Sequence, residues 1–261
     1  MPGVRLSDGK IRRPGFLLMM DEPAAQGYNA PMQNLKVISL GGSIIAPDGV
    51  DTPFLKSFQE MIREYLASDP ARRLIFVTGG GGPARAWQQA YRDIADRPDD
   101  DLQDWIGVAA TRLNAALVRG IFGDLCPDEV VIDPTAAGEF RGRVLVAAGW
   151  KPGFSSDFDA VLLAEKFGGN TVINLSNIAK VYSADPRKDP SAVPYDSMTW
   201  AQLQALVGDT WTPGKNVPFD PIATRKATEL KLSIIIAAGR NIGNLRNLLE
   251  DRPFDGTLIR G

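Results

Sequence analysis

The chain has 261 residues, 44% hydrophobic and 23% charged, with a formal net charge of −2, one cysteine and no histidine. Because the basic residues are dispersed and the net charge is slightly negative, neither a nucleic-acid surface nor an anionic-membrane surface is indicated. The absence of histidine excludes histidine acid–base chemistry and histidine metal sites, and a lone cysteine excludes a disulfide within this sequence. Any metal ion is expected to be a hard cation such as Mg²⁺, held by oxygen atoms.

Residues 1–31 differ from the rest of the chain, because they are rich in Pro and Gly and lack a clear hydrophobic period. The apolar run 16–20 is too short to span a membrane, and no cleavage site follows it. We interpret residues 1–31 as an N-terminal extension of a cytoplasmic protein. It is either an over-long start before Met32 or an arm that docks on a neighbouring subunit.

A short apolar strand and a glycine turn open the regular part of the chain. Val37, Ile38 and Leu40 run directly into Gly41-Gly42-Ser43. The turn matches neither the GxxxxGK[ST] loop nor the GxGxxG fingerprint. Glycine nevertheless lets backbone N–H groups approach a ligand closely, which favours a phosphate here.

A second turn of this kind follows the buried apolar strand 74–77. The four glycines 79–82 lead into a helix through Pro83, which suits a first helical turn. Arg85 adds a guanidinium whose fork geometry matches phosphate oxygens. A tight turn without a ligand is the simpler alternative. Two such turns predict two phosphate clusters, or one chain of phosphates between two loops, as phosphoryl transfer requires.

Helices and strands alternate along the rest of the chain. Helical spacing of apolar residues predicts helices over residues 51–66, 102–121, 160–167, 198–207, 221–230 and 242–249. β-favouring runs predict strands over residues 130–133, 144–147, 171–175, 234–236 and, as a last edge strand, 257–259. This alternation predicts an α/β fold: a three-layer αβα sandwich around a mainly parallel open sheet.

The most specific motif is the run 174–192, NLSNIAKVYSADPRKDPSA. It resembles the adenine-side loop TNVDGVYTADPKKDPTA of the amino acid kinase family, and the other motifs from about Leu35 onward occur in that family's order. Within the family, the chain is similar to archaeal-type uridylate (UMP) kinases. The resemblance implies conversion of UMP to UDP with ATP and Mg²⁺, in pyrimidine nucleotide biosynthesis. It also implies a homo-oligomer, a hexamer in the family, with UMP bound by residues 32–168 and ATP by residues 169–261 of one continuous sheet.

The resemblance also implies roles for individual residues. Those expected to bind ATP are Ser39, Leu40, Gly41, Gly42, Gly81, Ser176, Asn177, Tyr182 and Asp185. Those expected to bind UMP are Gly80, Arg85, Asp104, Gly107, Gly149, Ser155 and Ser156. Gly41, Gly42, Ser43 and Asp220 are expected near the transferred phosphoryl group. Asp104, Ser156 and Asp220 have a simpler interpretation as helix caps.

The chain departs from the family at its lysines. Many members carry a lysine where this chain has Ser39, and often another where it has Gly82. Losing a lysine that bridges the β- and γ-phosphates typically costs on the order of 10²–10³ in rate. Lys36, Lys180 and Lys215 are candidate replacements.

We favour Lys215 as the catalytic lysine. It lies five residues before Asp220, directly after the Pro213-Gly214 turn. Closing loops of this kind often complete a catalytic site.

Two alternatives stand beside a UMP kinase. The missing lysines favour a non-catalytic nucleotide-binding member of the family, of the kind seen in molybdenum storage proteins. Arg85, Asp104 and the run Ser155-Ser156-Asp157 argue against it. The other alternative is a kinase of the family that acts on another small acceptor. The absence of histidine argues against isopentenyl phosphate kinases, which use one at the acceptor phosphate.

Overall fold

A computed structural model describes residues 34–210 and 217–261. The strands in these ranges are β1 (Leu35–Leu40), β2 (Arg73–Thr78), β3 (Val144–Ala147), β4 (Thr171–Ser176), β5 (Val181–Tyr182), β6 (Pro194–Tyr195), β7 (Ser197–Met198), β8 (Ser233–Ala238) and β9 (Thr257–Ile259). The helices are α1 (Gly42–Ile45), α2 (Thr52–Ala67), α3 (Gly81–Ile94), α4 (Asp100–Phe122), α5 (Ser156–Phe167), α6 (Trp200–Val207), α7 (Pro221–Glu229) and α8 (Ile242–Leu249). Within the two described ranges, no helix is both long enough and apolar enough to cross a bilayer.

One sheet runs through both halves of the chain, in the order β3-β2-β1-β4-β8-β9-β7. Neighbouring strands are parallel except β8 and β9, which are antiparallel. A separate antiparallel pair is formed by β5 and β6. The predicted mainly parallel sheet is therefore confirmed.

Two hydrophobic cores cover the two faces of this sheet, because successive strand side chains point to opposite faces. Ile38 and Phe76 pack with α2, α4 and α8 on one face. Val37 and Val77 pack with α5, α6 and α7 on the other. This arrangement is the predicted three-layer sandwich.

Several predicted element boundaries are wrong. The helix predicted from residue 160 begins earlier, at Ser156, because Ser155 caps it. Residues 130–133 form a single parallel bridge, Val131 to Ala147, because the Asp133 carboxylate turns the chain by accepting from the Thr135 backbone N–H at 2.9 Å. The helix predicted from residue 198 begins at Trp200, since Thr199 caps it and residues 197–198 pair in β7. Strand β9 is not an edge strand, because the two-residue β7 lies beyond it.

Candidate active site

The carboxyl ends of β1, β2, β3 and β4 meet at one edge, since these neighbouring strands run parallel. Ligands of open parallel sheets bind in the crevice outside this edge. Two cavities of about 450 Å³ and about 160 Å³ lie here, and we call them the larger and the smaller cavity. Another cavity, of about 530 Å³, lies beside residues 128–141, and no predicted site residue lines it.

The two glycine turns pack backbone against backbone. A Cβ atom on Gly42 would lie 2.0 Å from the Gly81 backbone nitrogen and 2.5 Å from the Gly79 carbonyl carbon. Gly81 has a φ of +68°, a conformation that residues with a side chain rarely adopt. Close approach to a ligand is therefore not the only reason for glycine here, because the turns also need it to fit against each other.

Gly82, where the family often has lysine, is equally confined. A Cβ atom there would lie 2.1 Å from the Pro47 carbonyl oxygen. A lysine at this position is therefore incompatible with the observed path of the chain around Pro47.

The larger cavity is lined by most of the residues that were expected to bind ATP. They are Ser39, Gly41, Gly42, Ser176, Asn177, Tyr182 and Asp185. The Asp185 carboxylate receives two hydrogen bonds from the Arg187 guanidinium, each 3.0 Å long, and these bonds hold the pKa of Asp185 below its ordinary value. Asp157, Asn174 and Arg187 also line this cavity and are absent from the predicted set.

Three of the expected residues do not line the larger cavity. Leu40 is fully buried in the core beside α2, and Gly81 lies against the backbone of Gly42. Ser43, in the short helix α1, does not line it either. The roles expected of Leu40 and Gly81 at ATP, and of Ser43 near the transferred phosphoryl group, remain predictions.

The smaller cavity is lined by all the residues expected to bind UMP except Arg85. They are Gly80, Asp104, Gly107, Gly149, Ser155 and Ser156. Arg85 is exposed and donates to the Pro47 carbonyl oxygen at 3.0 Å instead. Ala84, Gln88, Val108, Thr111, Lys151 and Phe154 complete the lining. Of these, Lys151 and Phe154 belong to the loop of residues 149–156, which the family resemblance implies would close over UMP.

Residues 149–155, which we call the 149–155 loop, are anchored at three points. The Gly149 backbone N–H donates to Thr111 Oγ1 at 2.8 Å, and the Trp150 N–H donates to Asp159 Oδ2 at 3.1 Å. The Gly153 N–H donates to Asp104 Oδ2 at 3.1 Å. The loop thus lies across the smaller cavity and is attached to Asp104, one of the residues expected to bind UMP.

Aromatic rings of this loop pack against each other and against a ring at the start of α5. The ring centroids of Trp150 and Phe154 are 5.0 Å apart, and those of Phe154 and Phe158 are 4.9 Å apart. The volume of about 160 Å³ is below the roughly 300–1,000 Å³ of typical small-molecule pockets. The smaller cavity is therefore smaller than the sites that usually enclose a small molecule.

The two cavities meet at Ser156, which lines both. Beside it lie two carboxylates, Asp157 and Asp220, with the Asp220 backbone N–H donating to Asp157 Oδ2 at 3.4 Å. Ser39 Oγ and Asn174 Nδ2 donate to Asp157 Oδ1 at 3.0 Å and 3.1 Å. Ser39, which occupies the position of the family's lysine, therefore donates its hydroxyl to the Asp157 carboxylate and does not leave it free for a phosphate.

Asp220 caps α7, as predicted, and is also the second member of the carboxylate pair. Its Oδ1 accepts from the Ile222 backbone N–H at 2.6 Å, and its Oδ2 accepts from Ser155 Oγ. Burial, together with the nearby Asp220 carboxylate, raises the pKa of Asp157 to about 7. The junction of the two cavities therefore holds two acidic groups with no lysine of the described residues paired to either.

The three candidate lysines differ in where the structure places them. Lys36 is near the amino end of β1, an interior strand, and its Nζ lies 2.5 Å from Asp251, so it does not replace the missing charge. Lys180 lines the larger cavity, but Asp196 and Asp255 hold its ammonium at 2.5 Å and 3.1 Å. Lys215 lies outside the described residues, as do residues 1–31.

Asp159 is fully buried under the 149–155 loop, and its Oδ1 has no partner among the described residues. Burial raises the pKa of this carboxyl group to about 8. Asp157 and Asp159 therefore bind protons more tightly in the folded chain than in the unfolded chain, where an aspartate has a pKa of about 3.9. Unfolding releases these protons, so the free energy of unfolding is expected to fall as the pH rises from about 4 to about 8.

In the Asp159→Asn variant, the free energy of unfolding is expected to fall less as the pH rises, because the amide carries no charge at any of these pH values. Urea denaturation at about pH 5 and about pH 8.5 measures the effect. The stability of the variant relative to the unchanged chain should be higher at the alkaline pH than at the acidic pH. Equal differences at both values would show that Asp159 is ionised when folded. Asp96→Asn, at an exposed position, serves as the control.

The chain resembles proteins of one family over most of its length. Residues 34–238 match the model of the amino acid kinase family. A uridylate kinase of Methanospirillum hungatei is 35% identical over 85% of this chain and 93% of its own, and one of Thermoplasma volcanium is 34% identical over 85% and 96%. The crystal structure of uridylate kinase from Archaeoglobus fulgidus superposes with a TM-score of 0.72 at 31% identity, covering 86% of this chain and 99% of that one. The chain therefore belongs to the amino acid kinase family, as a relative of the archaeal-type uridylate kinases.

Proposed function

We propose that the chain is a UMP kinase, a phosphotransferase that moves the γ-phosphate of ATP to UMP and gives UDP. The observation that carries the proposal is the pair of cavities that meet at Ser156 on the carboxyl edge of the sheet. The larger cavity receives ATP, and the smaller receives UMP with its ribose at Asp104. The uridylate kinases among its relatives support this choice of acceptor.

The chemistry of this site is positioning and charge neutralisation. The UMP phosphate oxygen that attacks is already anionic at neutral pH, so the reaction needs no general base. The glycine turns hold the backbone where phosphates meet, and the Asp157–Asp220 pair lies beside the line of transfer. In phosphoryl transfer, such positioning supplies most of the catalysis.

The donor groups at the junction suit Mg²⁺ bound to ATP. Mg²⁺ prefers one or two carboxylates together with substrate phosphates, and Asp157 presents a carboxylate to the larger cavity. Within the described residues, no group of three acidic, histidine or cysteine side chains forms a metal site of its own. When bound, the ion would neutralise charge on the β- and γ-phosphates.

We also propose the finer properties that the family resemblance implies: a cytoplasmic homo-oligomer, hexameric, that acts in pyrimidine nucleotide biosynthesis. The apolar side chains exposed on the neighbouring helices α3 and α4, Trp87, Ile94, Trp105 and Leu113, are of the kind that subunit interfaces cover. Sedimentation of the purified chain measures the assembly directly.

An acceptor panel tests the proposed activity. ADP release, coupled to a dehydrogenase, is measured with Mg²⁺ and ATP in the presence of UMP, CMP, AMP or no acceptor. UMP is expected to give the highest kcat/KM, and the reaction without acceptor should be near background. A preference for another acceptor would indicate a different kinase of the family. ATP and UMP binding without ADP release would support the non-catalytic alternative.

A further inference from the structure

Asn114 is a buried polar side chain of α4 that lines neither cavity of the site. Its Nδ2 donates to the Gly79 carbonyl oxygen at 2.7 Å and to the Gly80 carbonyl oxygen at 3.2 Å. A carboxamide has two N–H donors, so one side chain can satisfy both acceptors. Asn114 therefore holds two successive carbonyl groups of the four-glycine turn, residues 79–82, on the side of α4.

Holding these two carbonyl groups also fixes two backbone N–H groups. In a planar trans peptide, the C=O and N–H bonds point in opposite directions. The Gly80 N–H shares its peptide with the Gly79 carbonyl, and the Gly81 N–H shares its peptide with the Gly80 carbonyl. Both N–H groups therefore point away from Asn114.

The N–H groups at the two ends of the turn are already bonded to protein. The Gly79 N–H donates to the Leu40 carbonyl oxygen at 3.0 Å, and the Gly82 N–H donates to the Ala46 carbonyl oxygen at 2.8 Å. The two N–H groups between them have no acceptor within residues 34–210 and 217–261. Unbonded N–H groups at the start of a helix are suited to an anion such as phosphate.

The backbone conformation of the turn suits an anion as well. Gly80 has right-handed angles, φ −81° and ψ −30°, and Gly81 has a left-handed φ of +68°. A right-handed residue followed by a left-handed one forms a concavity in which successive N–H groups bind anions. Gly79 lines the larger cavity and Gly80 lines the smaller one, so the turn borders both.

The four glycines have no side chains that could maintain this conformation, and glycine has more backbone freedom than any other residue. Rotation of either peptide would bring a carbonyl oxygen to the place of an N–H group, and a carbonyl oxygen repels a phosphate. On the basis of the proposed function, we infer that Asn114 is a positioning residue for phosphoryl transfer. It keeps the N–H groups of Gly80 and Gly81 directed at the phosphate of the acceptor.

Calorimetric titration of the full chain with UMP and with uridine tests this inference. Asn114→Asp keeps the shape of the side chain, but an ionised carboxylate has no donor for the two carbonyl groups. At about pH 8, this variant should bind UMP roughly 10- to 100-fold more weakly than the unchanged chain, the effect of losing two hydrogen bonds. Uridine affinity should stay within about twofold, because uridine carries no phosphate.

The pH dependence separates positioning from a general loss of structure. Burial favours the protonated form of a carboxyl group, which again has one donor. At about pH 5.5, the UMP affinity of Asn114→Asp relative to the unchanged chain should therefore recover by roughly 5- to 10-fold. Asn114→Leu has no donor at any pH, so its relative affinity should stay low at both values. Comparison with the unchanged chain at each pH cancels the titration of UMP itself.

Asn244→Asp is the matched control. Asn244 is another buried asparagine whose amide donates to a backbone carbonyl, that of Asp255 at 2.6 Å, but it lines neither cavity. This variant should lose stability without changing the affinity for UMP relative to uridine. The thermal midpoint of each variant reports on folding.

Two outcomes would overturn the inference: equal losses for UMP and uridine in the Asn114 variants, or an unchanged UMP affinity in both of them. UDP formation by the unchanged chain is measured in parallel. Its absence, with UMP binding still dependent on Asn114, would overturn the proposed kinase activity and leave the positioning of the turn standing. UDP formation with UMP affinity insensitive to Asn114 would do the reverse.

Discussion

Gly42→Ala is expected to destabilise the chain by roughly 3 kcal/mol or more. The new Cβ atom would lie 2.0 Å from the Gly81 nitrogen and 2.6 Å from the Gly79 carbonyl oxygen, and both contacts are to backbone. Backbone atoms cannot swing aside like the end of a long side chain, so the two turns must separate. Urea denaturation measures the loss of stability. Because both turns line the cavities, affinity for ATP and for UMP should fall together.

Gly49→Ala is the matched control for Gly42→Ala. Nothing lies within 4 Å of a Cβ atom at Gly49, and its φ is not in the left-handed region. We expect a change of about 0.5 kcal/mol or less at this position. If Gly42→Ala were as mild as Gly49→Ala, the close packing of the two turns would be wrong.

Asp157→Asn is expected to lower kcat by roughly 10²-fold or more, the scale of removing one preorganised polar group at a reacting centre. The free energy of unfolding should rise or stay unchanged. The carboxylate stands beside Asp220 with a pKa raised to about 7, so its charge is unfavourable in the folded chain above that pH. Steady-state kinetics and urea denaturation at about pH 8 measure the two effects on the same variant.

A loss of activity without a loss of stability would separate a functional role of Asp157 from a structural one. Asp48→Asn, at an exposed position, is the control and should leave both measurements unchanged. A near-normal kcat for Asp157→Asn would place the transferred phosphoryl group away from the Asp157–Asp220 pair. A large loss of stability would show instead that the hydrogen bonds from Ser39 and Asn174 require a carboxylate for folding.

Much of the fold follows from local patterns. The helix Ile242–Leu249 has the predicted bounds, and Asp220 caps α7 as predicted. Hydrophobic periodicity and cap residues are properties of adjacent positions, so the sequence displays them directly. Strand β7 was missed because two residues give no period, and residues 130–133 pair with β3 only at Val131, before a side-chain turn at Asp133.

The site could be predicted only where motifs carry it. Motif order brought Gly80, Asp104 and Ser156 to one cavity, as the structure has them. No local pattern indicates that Asp157 lies beside Asp220, because the two are 63 positions apart and tertiary packing alone joins them. Similarly, only the path of the chain around Pro47 shows that Arg85 is directed away from the smaller cavity.

Transfer of a radiolabelled γ-phosphate from ATP to UMP tests most directly whether the chain is a UMP kinase. With Mg²⁺ present, the full chain is expected to place the label in UDP, with little released as inorganic phosphate. Label that remains in ATP while both nucleotides bind would contradict the proposed activity and identify a nucleotide-binding protein without kinase activity.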